Sequence, residues 1–144
     1  MTQPRATPLI RTVDCVRIPV PDLDAGLAFY RDQLGHALIW RTATAAGLRL
    51  PHSDAELVIY TDGHDFEVDL LVASADEAAA HVAACGGEVV VPPFDIAVGR
   101  CVVVRDPWGT RLVLLDLSKG RLRTDASGNV IGVGGEAAGD ESAP

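Results

Sequence analysis

Four short apolar segments carry a second set of side chains at alternating positions. Cys15, Arg17 and Pro19 alternate with Val16, Ile18 and Val20, and Glu56, Val58 and Tyr60 alternate with Leu57 and Ile59. Glu67, Asp69 and Leu71 do the same among Val68, Leu70 and Val72, as do Arg111, Val113 and Leu115 beside Leu112 and Leu114. A period of two puts each set on one face of a strand and its apolar partners on the other. The chemistry open to the mixed face is the anchoring of a small molecule by a few charged groups on an apolar wall. Cys15, Arg17, Tyr60, Glu67, Asp69, Arg111 and Val113 are the candidate ligand-binding residues; the carboxylates of Glu67 and Asp69 favour a cationic or hydrogen-bond-donating ligand, and the rival is a carboxylate or enolate ligand held by Arg17 and Arg111. Glu67 is also the candidate catalytic residue, as a general base, with Asp69 as the other carboxylate able to take that role. Arg17 opposite these acids has a purely structural reading as well, an internal ion-pair network. Cys15 reads as a small buried hydrophobe, with no paired base beside it in the sequence.

Other chemistries lack their residues. There is no phosphate loop, dinucleotide fingerprint or GxSxG elbow. His36 follows a helix stop, His52 and His64 fall in turns, and His81 falls on a helix, which are positions for packing or solvent-facing imidazoles.

The elements that must position the mixed faces follow from local signals. VDCVRIPV is a strand, and Leu23, Leu27, Tyr30 and Leu34 then recur at helical spacing, with Asp22 or Asp24 as cap and Gly35 as stop. HALIWRT, GLRLP and ELVIYTD give three more short strands, so the first half reads βαβββ. EVDLLVASADEAAAHVAACGG opens a second such unit, with a capping box from Ser74 to Glu77 and an Ala-rich helix, and EVVVPP, GRCVVVRD and TRLVLLDL complete it. Asp106-Pro107-Trp108-Gly109 is a type I turn sequence between the last two. Val20 to Val72, Asp24 to Asp76, Gly35 to Gly87 and Gly47 to Gly99 share an offset of 52, the mark of an internal duplication. A ferredoxin-like fold is the competing pattern, but it needs two strands between the helices where three are present.

The expected class is therefore α+β, with module one at about residues 12–62 and module two at about 66–118 of a single domain. KGRLRTDASGNVIGV predicts a short hairpin over 119–133, and the Gly, Ala and acid-rich 134–144 predicts a disordered tail. The chain of 144 residues, 48% of them hydrophobic, supports one core. Twelve Lys+Arg against twenty Asp+Glu leave a net charge of −8, which disfavours a nucleic-acid partner. No apolar run spans a bilayer and no signal-type stretch opens the sequence, so the expectation is a cytoplasmic protein without a membrane partner. Cys15, Cys85 and Cys101 fit neither a disulfide framework nor a CxxC site, and reduced thiols are expected.

CVRIPVPDLDAGLAFYRDQLG resembles the HVxIxVxDLDxAxxFYxxxLG segment of the vicinal-oxygen-chelate superfamily, which includes glyoxalase I, bleomycin-resistance proteins and extradiol dioxygenases. GGEVVVPPFDIAVGRCVVVRDPWGTRLVLLDL is similar to that family's GGxVxxPP, GR and DPxGNxxEL segments, and the resemblance covers roughly residues 12–118. It implies two βαβββ modules in a cupped, mostly antiparallel sheet with the helices outside, the mixed faces turned into the cup, and a homodimer. Trp40, Phe94 and Trp108 are candidate aromatic walls of that cup.

Metal-dependent members of the family place one His or Glu ligand on each of four strands. Those positions fall here on Cys15, Val58, Glu67 and Val113, and valine has no donor atom. The leading expectation is thus a metal-free small-molecule binding protein with no cofactor. The alternative is an enzyme of the same superfamily, either a lyase, isomerase or dioxygenase with a divalent metal held by a variant set drawing on Tyr60, His64 or Asp69, or a metal-free acid–base catalyst.

Overall fold

A computed structural model describes residues 7–134 of the chain. At its centre the first strands of the two modules, β1 (Thr12–Pro19) and β5 (Glu67–Leu71), pair antiparallel, with Cys15 opposite Asp69 and Arg17 opposite Glu67. Module one continues from β1 through α1 (Leu23–Leu27), a π-helical segment (Ala28–Gln33), β2 (Leu38–Arg41), β3 (Ala45–Arg49) and β4 (Glu56–Tyr60). Module two continues from β5 through α2 (Ala75–Ala84), β6 (Glu88–Ile96), β7 (Gly99–Arg105) and β8 (Arg111–Leu115). The strands form one sheet in the order β2-β3-β4-β1-β5-β8-β7-β6. β1 with β4 and β5 with β8 are parallel and the other neighbours antiparallel, so the class is α+β with a mostly antiparallel sheet. β9 (Leu122–Thr124) and β10 (Val130–Val133) form a separate two-stranded ribbon. Residues 135–144, nearly all of the stretch expected to be disordered, lie outside the described residues. No helix among the described residues is long and apolar enough to cross a membrane.

Each helix covers its own half of one sheet face. Leu23 and Leu27 of α1 pack on Leu48, Leu57 and Ile59, with Val16, Ile18 and Val20 at the margin. Ala75, Ala78 and Ala79 of α2 pack on Val72, Val102, Val104 and Leu114. Fully burying a side chain such as Leu27, Ile59 or Leu114 stabilises the fold by about 1.5–3 kcal/mol. The cap signals hold: Asp22 accepts from Ala25 N at 3.0 Å and Ser74 from Glu77 N at 3.1 Å. Buried Asp116 ties α2 to the sheet, its Oδ2 accepting from Ala75 N at 2.8 Å and its Oδ1 from Arg100 N at 2.9 Å and Ser118 N at 3.1 Å.

Four local expectations are corrected. The first helix is not regular throughout, because Leu34 N bonds to Phe29 O five residues back, and this wider turn leaves Leu34 exposed rather than on the apolar stripe. Val68 has no helix over it and is half exposed, since it lies opposite Val16 on the central seam and belongs to neither apolar cluster. β6 runs through Pro92 and Pro93 to Ile96, which an edge strand tolerates because it lacks a neighbour on one side. Gly47 and Gly99 are not equivalent in register. Gly47 pairs with Val58, whereas Val113, the counterpart of Val58, pairs with Val103.

Candidate functional site

The sheet face opposite the helices lines a cavity of about 700 Å³. Strand alternation delivers Cys15, Arg17, Glu56, Val58, Glu67, Asp69, Arg111, Val113 and Leu115 to its wall, as their spacing predicts. Three other alternating residues are absent from the lining. Pro19 lies at the end of β1, Leu71 packs against the cluster of Cys101, Val103, Val113 and Leu115, and Tyr60 is buried. The Tyr60 ring lies 4.4 Å beneath the Arg17 guanidinium, and its hydroxyl donates to the Asp65 carbonyl. Of the aromatic candidates, Trp40 and Phe94 line the cavity while Trp108 is 86% exposed at its turn. None of the four histidines lines it.

The wall has two characters. On the β6–β8 side it is apolar, built from Phe94, Ile96, Val103, Val113, Leu115 and Leu117. On the β1, β4 and β5 side it is acidic, with Asp14, Glu56, Glu67 and Asp69. Asp14 was not assigned to this face, because strict alternation puts it opposite Cys15. A shift in the β1–β5 register between Val13 and Cys15 turns both Asp14 and Cys15 inward. Glu56 accepts a 2.7 Å hydrogen bond from the Trp40 indole, which is seated so tightly over Gly47 that a Cβ there would collide with the indole nitrogen.

Glu67 and Asp69, two residues apart on β5, are held very differently. Glu67 stands between two cations, 4.0 Å from Arg17 and 3.8 Å from Arg111. Asp69 is 6% exposed, accepts from the Cys15 thiol at 3.6 Å through Oδ2, and has no hydrogen-bond partner for the buried Oδ1. Burial, reinforced by the neighbouring Glu67, pushes its carboxyl up to about 8, against a smaller opposing pull from Arg17. Asp14 and Glu56 are raised as well, by burial first; the Cys15 thiol pulls Asp14 back and the Trp40 bond pulls Glu56 back, each ahead of a smaller pull from Arg121. Burial and then Asp69 push the Cys15 thiol up and that of Cys101 up to about 11, so neither is a thiolate near neutrality.

These residues do not make the family's metal site. Val58 and Val113 face the cavity where two ligands would stand, and Glu67 is already paired with two arginines. Among the described residues no group of three or more His, Cys, Asp or Glu side chains is arranged to hold an ion.

Solved structures share this architecture. Methylmalonyl-CoA epimerase from Mycobacterium tuberculosis superposes with a TM-score of 0.65 at 22% identity, over 78% of this chain and 91% of that one. A Streptomyces coelicolor methylmalonyl-CoA epimerase variant in complex with 2-nitronate-propionyl-CoA gives 0.61 at 18%, over 74% and 97%. The Mn(II)-bound glyoxalase from Novosphingobium aromaticivorans gives 0.56 at 21%, over 75% of this chain and 39% of that one. No curated protein sequence matches the chain. The family model for the Glyoxalase/Bleomycin resistance protein/Dioxygenase superfamily matches residues 12–114, the span of both modules down to β8, and the chain belongs to that superfamily.

Proposed function

We propose that this chain binds an amphipathic small molecule in the cup without a metal, with a cationic or hydrogen-bond-donating head against the acidic wall and an apolar body against the β6–β8 wall. The observation that carries this reading is Asp69, which lines the cavity and whose buried Oδ1 has no partner of its own. A buried polar atom left unpaired is costly, and a hydrogen-bonding group on a ligand would satisfy it. Binding to the native state alone raises stability by mass action, by about 2.7 kcal/mol at a hundredfold excess over Kd. The test is elemental analysis of the purified protein together with a thermal-shift screen of cationic, neutral and anionic aromatic amphiphiles. The reading expects no stoichiometric metal and upward shifts concentrated among the cations. Near-stoichiometric Zn, Fe, Mn or Ni whose removal abolishes binding would overturn it.

A second reading has its own support. A carboxyl that titrates near pH 8 at a cavity wall is suited to carry a proton to and from a bound substrate, and the epimerases and glyoxalase of similar fold are enzymes. In that case Asp69 moves the proton and Glu67 holds Arg17 and Arg111 beside it. Chemical conversion of a compound returned by the screen, lost in Asp69→Asn and retained in Glu67→Gln, would favour this reading over simple binding.

A further inference from the structure

The two edges of the eight-stranded sheet, β2 and β6, are connected across the cup by a segment that belongs to neither module. Its root is fastened on the module-two side. Lys119 N donates to Val98 O at 2.9 Å in the β6–β7 turn, and Lys119 Nζ reaches Asp95 Oδ1 at 3.0 Å and the Ile96 carbonyl at 3.2 Å. Its tip is fastened on the module-one side, where Arg41 N donates to Gly128 O at 2.8 Å and Arg41 pairs with Asn129. The tip also needs a glycine: Gly128 has φ of +88°, and a Cβ on it would stand 3.1 Å from Leu38 Cδ2. Between these anchors Arg121, Leu122 and Thr124 line the cavity.

We infer that the β9–β10 hairpin is the roof and charge filter of the binding site, with Leu122 extending the apolar wall and Arg121 acting as a built-in cation that competes with the head of a cationic ligand for Asp14 and Glu56. This rests on the reading of the cup as a small-molecule site. Asp14 sits on the irregular turn of β1 and Glu56 directly across from Cys15 on β4, so the two carboxylates share one end of the cavity. Arg121 lines the same cavity as both acids and opposes the rise of each. Among the described residues Arg121 makes no ion pair within 4.0 Å, so it lines the cavity without being committed to a carboxylate. In all, the cavity wall carries six carboxyl side chains against the arginines 17, 111 and 121, and Arg17 and Arg111 are already committed to Glu67. The occupant this favours is an amphipathic molecule with an apolar body and a positively charged head.

A hairpin that only staples the two sheet edges and a hairpin that filters charge differ in the sign of one measurement. Fluorescence titration of the full chain with berberine, a planar aromatic cation, and with anilinonaphthalene sulfonate, an aromatic anion, supplies it. Arg121→Gln should tighten berberine by about three- to tenfold and weaken the anion by a similar factor, because a charge a few ångströms from the head is removed in a partly desolvated site. Leu122→Ser should weaken both probes, and Leu122→Val takes its place if that variant unfolds. Melting curves of Arg121→Gln close to the parent's would confirm that the fold is unchanged. Equal shifts of both probes, or none, in Arg121→Gln would overturn the filter while leaving the cup as a binding site. Failure of the parent chain to bind either probe would overturn the binding reading, and the filter with it.

Discussion

Replacing Asp69 by Asn should change how stability depends on pH more than it changes stability itself. In the fold the carboxyl is raised from 3.8 to about 8, chiefly by burial, so the folded state holds a proton that the unfolded chain has lost by pH 5 or so. For a group raised in this way, the favourable contribution is complete below pH 4, declines as pH rises, and is gone above pH 8. About four pH units at 1.36 kcal/mol each set a ceiling on the order of 5 kcal/mol, and relaxation of the fold around the charge brings the expected loss to about 2–4 kcal/mol. Asn keeps the shape and the acceptor for the Cys15 thiol but cannot ionise. Urea unfolding of both proteins at pH 5, 7 and 9 is the assay. The two should agree within about 1 kcal/mol at pH 5, and the variant should be the more stable by about 2–4 kcal/mol at pH 9. Subtracting one curve from the other removes the contributions of Asp14 and Glu56, which are raised in the same direction. A difference that does not depend on pH, or a variant less stable at pH 9, would refute the assignment of the buried proton to Asp69.

Three further outcomes follow from the same geometry. Glu67→Gln should lower berberine affinity about tenfold and stability by less than about 1 kcal/mol, since its ion pairs are long and partly solvated; unchanged affinity would rule out Glu67 as the anchor. Asp116→Ala should cost about 3 kcal/mol or more in chemical unfolding, because burial raises this carboxyl but three backbone N–H donors more than offset it, and all three lose their acceptor; a loss under 1 kcal/mol would mean that water replaces it freely. Light scattering at micromolar concentration should give a dimer mass, as expected for the family, and a monomer would count against that expectation.

Alternation carried most of the site, because a strand buried on one face leaves its other face readable from every second residue. That is why Arg17, Glu56, Glu67, Asp69 and Arg111 could be placed on one wall without coordinates. Where alternation breaks, the reading breaks with it. Asp14 is missing from the predicted wall because nothing in VDCVRI marks the register shift that turns it inward. Tyr60 kept the right parity but lies under Arg17, a stacking contact that pattern alone does not show. The division of labour between the two β5 carboxylates was also out of reach, since it depends on which arginines stand beside Glu67 and how deeply Asp69 is buried. The hairpin after β8 was legible from its turn residues, but its docking rests on the backbone bond between Arg41 and Gly128, and backbone groups leave no trace in side-chain composition.

The position of that hairpin also sets an order of events during synthesis. Both modules emerge before it, so β1 can pair with β5 and the eight-stranded sheet can close while the cup still stands open to the solvent. On the proposed binding reading, a ligand present at that stage meets the cup before its roof is in place. Local opening of the strap would break only the few bonds at Lys119 and Gly128 and would leave both apolar clusters in place. The docking of the strap and the stability of the two modules are thereby separated, and a change at the tip can loosen the roof without altering whether the chain folds.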